Sequence, residues 1–385
     1  MTFIEDSLRA CSPFLRNASV IIHHNPLAEL SSVMPAVGYV GRMRRFRKKA
    51  ISPERELPSN VHLHVASSFY FVPDGSNRRL AQKVARVAER TIRKEKIEFD
   101  LIHAHFTWPD GGAGALLKKK FGVPLIVTAH GYDAYSLPFK DAKWKATISR
   151  ELNEADCIVT VSQRNARCLR ELDVSTPIEI IPNGFDDRLF HPMSDMDAIR
   201  SRLGLPAGRL ILAVGNLERV KGHEVLIEAF SSLAKRDDVT LIIVGSGPQR
   251  AHLEKKVKEL SLSGRIIFSG SRPHSEIPLW INACDVVALS SKNEGNPTVM
   301  FETLGCGKPF VGTRVGGVPD VITDDVGILC DPGDPRDLAE KLSMALDRQW
   351  DKEKIVAHAR RFTWEQNAKQ LLRIYERVIV NGTTN

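Results

Sequence analysis

The chain has 385 residues, of which 43% are hydrophobic and 26% charged, and a formal net charge of +8. That length accommodates two domains of ordinary size, each with its own core. No apolar run approaches the roughly 18 residues of a spanning helix, the opening MTFIEDSLRA carries acids where an export leader carries bases, and the six cysteines lack any C-x-x-C spacing, so the expectation is a cytoplasmic protein with reduced thiols and neither zinc nor a disulfide framework.

In residues 3–16, Phe3, Ile4, Leu8, Phe14 and Leu15 fall at helical spacing, and a strand-like run at 18–22 follows. The surplus of positive charge lies in residues 1–185, where 27 Lys and Arg meet 19 Asp and Glu; the remainder holds 27 of each. Its densest part is Arg42, Arg44, Arg45, Arg47, Lys48 and Lys49, with Met43 and Phe46 among them. Such a run reads as a solvated loop, or as a contact for an anionic membrane surface or a phosphate-bearing acceptor. Nucleic acid is not expected, because no basic helix with stacking aromatics accompanies it. A strand at 61–65 and a basic amphipathic helix at 77–96 come next, then strands at 99–105, 123–128 and 157–161 with helices at 111–120 and 143–153 between them. This alternation predicts a parallel sheet covered by helices. Polar residues past the carboxyl ends of such strands meet ligand, which singles out His103, His105 and His130. His130 leads, because Gly131 beside it permits close approach. His103 and His105 have no evident third ligand, so a metal pair is not the reading.

A strand broken by Pro182 and Asn183-Gly184 sets the domain boundary near residue 186. A second series then gives strands at 210–214, 239–244, 265–268, 286–289 and 309–312, separated by helices. The loop after the first of these lacks G-x-G-x-x-G but brings two cations, Arg219 and Lys221, to a helix entrance; Gly245 and Gly247 shape the loop after the second. After the fourth comes Glu294-Gly295-Asn296-Pro297-Thr298-Val299, with Glu302 in the helix beyond. Asn296 is expected as N-cap and Pro297 as the first helical residue, leaving the N–H groups of Thr298 and Val299 for an anion, read as a pyrophosphate. At ~1.5 Å per helical residue, Glu294 and Glu302 stand on the order of 10 Å apart, a spacing suited to the two ends of a nucleotide sugar. Taken alone, such a pair reads more readily as capping or solvated carboxylates, and only the surrounding motifs overturn that reading. A last helix starts at Thr363, and its apolar face, Ala368, Leu371, Leu372, Tyr375 and Val378, calls for a partner surface.

Residues 100–105, 128–133, 182–186, 214–222, 244–248, 294–302 and 362–364, in that order, resemble the retaining family-4 glycosyltransferases. The resemblance implies an α/β fold of two Rossmann-like domains facing across a cleft (GT-B): residues 1–186 on the acceptor side, 187–360 binding the nucleotide sugar, and 361–385 as a helix crossing back. It implies transfer of a hexosyl group from a nucleoside diphosphate sugar to a glycan or lipid-linked acceptor with retention of configuration, with no cofactor and no metal, in the cytoplasm or peripherally on the inner membrane face. By the resemblance Glu294 contacts the transferred sugar near its reacting carbon, Glu302 the donor ribose, Lys221 the donor phosphates and His130 the transferred sugar, while Asn296 to Thr298 supply backbone donors. Two departures stand out. Asn216 replaces the arginine of the family's G-R-L-x-x-x-K-G loop, leaving Arg219 to supply that charge. The family's first strand and glycine loop have no counterpart before residue 3, so the first domain is expected to lack its central strand: Met1 is not the true start, another segment fills the gap, or the protein is impaired. Two rival readings stand beside the transferase: a hydrolase or epimerase acting on the same nucleotide sugar, and a catalytically inactive truncated homologue.

Overall fold

The computed structural model describes residues 2–26, 56–67, 77–234 and 236–383. The basic cluster at 42–49 lies outside these residues. The chain forms two compact units: Met1–Pro182 together with Trp364–Asn385, and Asn183–Thr363.

In the first unit, strands β1 (Ala18–His24) and β2 (Val61–Ser67) pair in parallel by themselves, while β3 (Ile102–His105), β4 (Leu125–Ala129), β5 (Cys157–Thr160) and β6 (Ile178–Ile180) form a second parallel sheet in that order. Among the described residues no strand joins the two sheets. Ala18 donates its N–H to Asn60 on the β2 side and Ile102 to Pro124 on the β4 side; alternation therefore turns the backbone of Ser19 and Ile21, and of His103 and His105, the other way. Burial follows the same logic. Every residue of β4 and β5 is buried, whereas Val20, Ile21 and Ile22 of β1 are only half-buried despite an apolar sequence suited to an interior strand.

The helix Leu80–Lys94 covers these strands with Leu80, Ala81, Val84, Ala85, Ala88 and Ile92, an apolar stripe at the helical period. The final helix, Trp364–Thr383, buries Ala368, Leu371, Ile374 and Val378 against Cys11, Ile126, Cys157, Val159 and Ile181. Ile374 lies in this stripe, while Leu372, expected in it, is only half-buried.

In the second unit, β7 (Arg209–Val214), β8 (Val239–Val244), β9 (Ile266–Gly270), β10 (Val286–Leu289), β11 (Phe310–Thr313) and β12 (Gly327–Cys330) form one parallel sheet in the order β12-β11-β10-β7-β8-β9. Its strands are continuous apolar runs because both faces are covered. Leu210, Leu212, Ile242 and Val244 point into one core, and Ile211, Ala213, Leu241 and Ile243 into the other. The strand order reverses between β7 and β10, and that reversal opens the loops at their carboxyl ends to ligand. All six cysteines are unpaired and all but half-buried Cys168 are buried. No helix among the described residues is long and apolar enough to cross a membrane.

Candidate functional site

The loops after β7 and β10 are neighbours at the reversal, and their backbones interlock. Gly222 has φ +65°, and a Cβ there would lie 2.0 Å from the Ser290 carbonyl oxygen, so only glycine fits. Lys292 donates its backbone N–H to Val220 (2.7 Å), and the Ser290 hydroxyl donates to the Lys221 carbonyl (3.0 Å). This contact brings two expected site residues together: Lys221 Nζ lies 2.6 Å from Glu294 Oε1. Ser291 Oγ donates to the same oxygen at 2.6 Å. Glu294 is only 8% exposed, yet its Oε2 makes no hydrogen bond among the described residues and is not sealed off, so one oxygen is held and the other is open.

The opposite flank is braced equally closely. Gly316 has φ +56° and a Cβ there would meet the Glu294 carbonyl oxygen at 2.3 Å. Gly317 N–H donates to the Gly295 carbonyl (2.8 Å) and Thr313 Oγ1 to the Ser291 carbonyl (2.7 Å). Asn296 does not cap the following helix, Thr298–Gly305; Pro297 holds the N-cap position, and Asn296 Oδ1 instead accepts the backbone N–H of Asn183 (3.0 Å), whose Nδ2 donates to the Asn296 carbonyl (2.8 Å). The first-turn N–H groups of Thr298 and Val299 have no intrahelical acceptor. Glu302, in the second turn, has the same build as Glu294. Its Oε1 faces His274 Nε2 at 2.8 Å and its Oε2 is open.

The other residues expected on the donor side are more dispersed. Arg219 and Asn216 are exposed on the loop after β7, and the Arg219 side chain makes no hydrogen bond among the described residues. Gly245 and Gly247 carry the loop after β8 against that loop: Cβ atoms there would lie 1.9 Å from the Gly215 oxygen and 2.6 Å from the Leu217 oxygen. Ser291, His274 and His223 were not singled out from the sequence. Ser291 reaches Glu294 within one loop, and His274 reaches Glu302 on the helix from a turn 28 residues earlier; neither contact is marked by a motif. His223 is buried at the start of the helix His223–Leu233, both ring nitrogens unbonded, and burial pushes its pKa down to about 4.

In the first unit, His103 and His105 lie in the carboxyl-terminal half of β3, paired beside β4, rather than in the loop past it. His103 Nδ1 is 2.6 Å from the Tyr375 hydroxyl and its Nε2 2.7 Å from Thr128 Oγ1; His105 Nδ1 is 3.0 Å from His130 Nε2. The Phe3 and Phe106 rings pack on His130 at centroid distances of 4.9 and 4.8 Å. Burial is the main cause that depresses all three histidine pKa values, taking His105 down to about 4. They are therefore neutral near pH 7. Asp133 is tied up by the backbone N–H groups of Thr107, His130 and Gly131. Among the described residues no cluster of three or more His, Cys, Asp or Glu is arranged to hold a metal.

Comparison with known proteins follows the same division. Residues 195–362 match the family "Glycosyl transferases group 1" and residues 44–189 match "Glycosyltransferase Family 4". The D-inositol 3-phosphate glycosyltransferase of Corynebacterium glutamicum (strain R) is 33% identical over 313 residues, which span 75% of each chain. The sucrose-phosphate synthase of Thermosynechococcus elongatus has a similar structure, with a TM-score of 0.80 at 22% identity over 99% of this chain and 93% of the other. Anabaena HepE in complex with UDP-glucose gives a TM-score of 0.69 at 22% identity over 93% and 99%.

Proposed function

This chain belongs to the family-4 glycosyltransferases, with their two Rossmann-like domains, and on that premise we propose that it moves a hexosyl group from a nucleoside diphosphate sugar to a glycan or lipid-linked acceptor with retention of configuration. The observation that carries this reading is the Lys221–Glu294 pair at the reversal of strand order, with one carboxylate oxygen held and the other open. The UDP-glucose bound by the HepE fold relative supports a donor of that class.

Each part of the donor then has a chemical counterpart. Glu294 Oε2 accepts hydroxyls of the sugar. Lys221 has three N–H donors, so it can keep Glu294 and still reach a phosphate oxygen. The N–H groups of Thr298 and Val299 face the diphosphate with the positive end of the helix dipole, and Arg219 adds a second full charge. Glu302 Oε2 accepts from the ribose. In the transfer step the bond from the anomeric carbon to phosphate breaks and one to the acceptor oxygen forms on the same face, while the departing phosphate oxygen takes the acceptor's proton. Charge grows on the diphosphate in that step, and the Lys221 end of the site is where it is stabilised. His130, kept neutral by burial, is assigned to hydrogen bonding rather than proton transfer. We assign no metal or cofactor to the step. The basic cluster at 42–49 is the proposed contact for an anionic membrane face of the cytoplasm or an acceptor phosphate.

Incubation with UDP-, GDP- and ADP-sugars and candidate glycan acceptors, followed by NMR of the product's anomeric proton, tests the reading. The expected result is a glycoside with the donor's configuration, formed at the same rate in excess EDTA. Free sugar or its epimer formed equally fast without acceptor would replace transfer by hydrolysis or epimerisation.

A further inference from the structure

We propose that His274 is a positioning residue that makes this protein select ribonucleoside over deoxyribonucleoside diphosphates, by fixing the Glu302 carboxylate so that its open oxygen meets a ribose hydroxyl. The inference rests on the nucleotide-sugar reading above. Glu302 is 6% exposed, between Phe301 and Thr303, which are fully buried. A carboxylate has room for about four hydrogen bonds, and among the described residues the only side chain bonded to this one is His274, at 2.8 Å on Oε1. A buried acid with a single partner and an open second oxygen is built to receive a donor from outside.

The histidine is itself held in place. β9 ends at Gly270, which has φ +75°, and Pro273 leads into the short turn His274–Glu276, closed by Glu276 N–H on the Pro273 carbonyl (2.9 Å). Phe190, 1% exposed, packs its ring 5.1 Å from the His274 ring, and its N–H is anchored on the Asp186 carbonyl (2.8 Å). Arg272, two residues before the histidine, lies over Trp280 at 5.2 Å. The imidazole therefore presents Nε2 to Oε1 from a fixed direction, and rotation of the carboxylate about its last bond is stopped. Oε2 is then left aimed at one place, where a sugar hydroxyl is the matching donor.

The test is calorimetric titration of UDP, 2′-deoxy-UDP and 3′-deoxy-UDP, with the ADP and GDP series in parallel, into the wild type, His274→Ala and His274→Gln. The wild type should prefer one ribo form by ~10-fold or more, the scale of a lost hydrogen bond to a charged acceptor. His274→Ala should lower affinity for the ribo form several-fold and leave the matching deoxy form nearly unchanged, so that the preference collapses. His274→Gln, which can still donate one N–H to Oε1, should recover part of it. A full ribose preference in His274→Ala, or an equal loss for both sugars, overturns the inference. No nucleotide binding by the folded wild type overturns instead the donor reading on which it rests.

Discussion

Glu294 and Glu302 share one arrangement at the level of single side chains: a protein donor on one oxygen and none on the other. Replacing Glu294 by Gln keeps the shape and the Ser291 contact but removes the charge opposite Lys221. Turnover should fall ~100-fold or more, the scale of losing a preorganised electrostatic contact, while thermal melting of the variant stays within a few degrees of wild type. Near-normal turnover would take Glu294 out of the site. The three histidines of the first unit give a pH prediction. Unfolded histidine takes up a proton near pH 6.5, whereas buried His105 does so only near 4 and His103 and His130 lie well below their ordinary value. The unfolded chain thus binds more protons as pH falls, so the stability of the first unit is complete above about pH 6.5 and declines toward pH 4, by on the order of 2 kcal/mol for His105 alone once its partial exposure is discounted. Urea midpoints measured from pH 7.5 to 4.5 check this. Glu294 and Glu302 stood out as candidates from their spacing along one loop and helix, and Lys221 from its place beside Arg219 in the loop after β7. Ser291, His274 and Asn183 did not, since their partners come from a short-range loop contact or from segments 28 and 113 residues away.

Loops and helices carry the next level of the account. The loop holding Glu294 is pressed between backbone on both sides, and each side depends on a glycine in the left-handed region. Gly316→Ala should cost about 2 kcal/mol or more in urea unfolding, from left-handed strain plus the approach of its Cβ to the Glu294 carbonyl, and should lower activity beyond the loss of folded protein. Gly122→Ala is the control: it has φ +70° but open space around its Cβ, so it should show the smaller cost of strain alone. The C-terminal helix is as much a part of the first unit's core as its strands are. Leu371→Ala empties a site walled by Ile126, Val159 and Ile181 and should destabilise by about 2–4 kcal/mol. Most strands were legible because interior parallel strands are unbroken apolar runs. β12, the four residues Gly327–Cys330, was missed because a short, half-buried edge strand carries little pattern. β3 begins at Ile102 rather than at residue 99, and its end at His105 is where the sequence placed it.

For the molecule as a whole, the alternation of strands and helices was enough to expect parallel sheets covered by helices, and the order of motifs was enough to expect the family. The separation of β1–β2 from β3–β6 among the described residues has no local mark in the sequence, since each of these strands reads as an ordinary short strand. The surplus charge of residues 1–185 gives an expectation at this scale: binding to vesicles containing anionic lipid should weaken with salt, and should fall when Arg44, Arg45 and Arg47 are changed together to Ser. The central claim is that Lys221 and Glu294 hold the phosphate and sugar of one donor. Titration of UDP-glucose, GDP-mannose and ADP-glucose against UDP, GDP and ADP, in the wild type, Lys221→Met and Glu294→Gln, tests it most directly. The account predicts that Lys221→Met weakens the diphosphate and its sugar alike, whereas Glu294→Gln removes only the extra affinity contributed by the sugar. Unchanged binding of every nucleotide in both variants would contradict it.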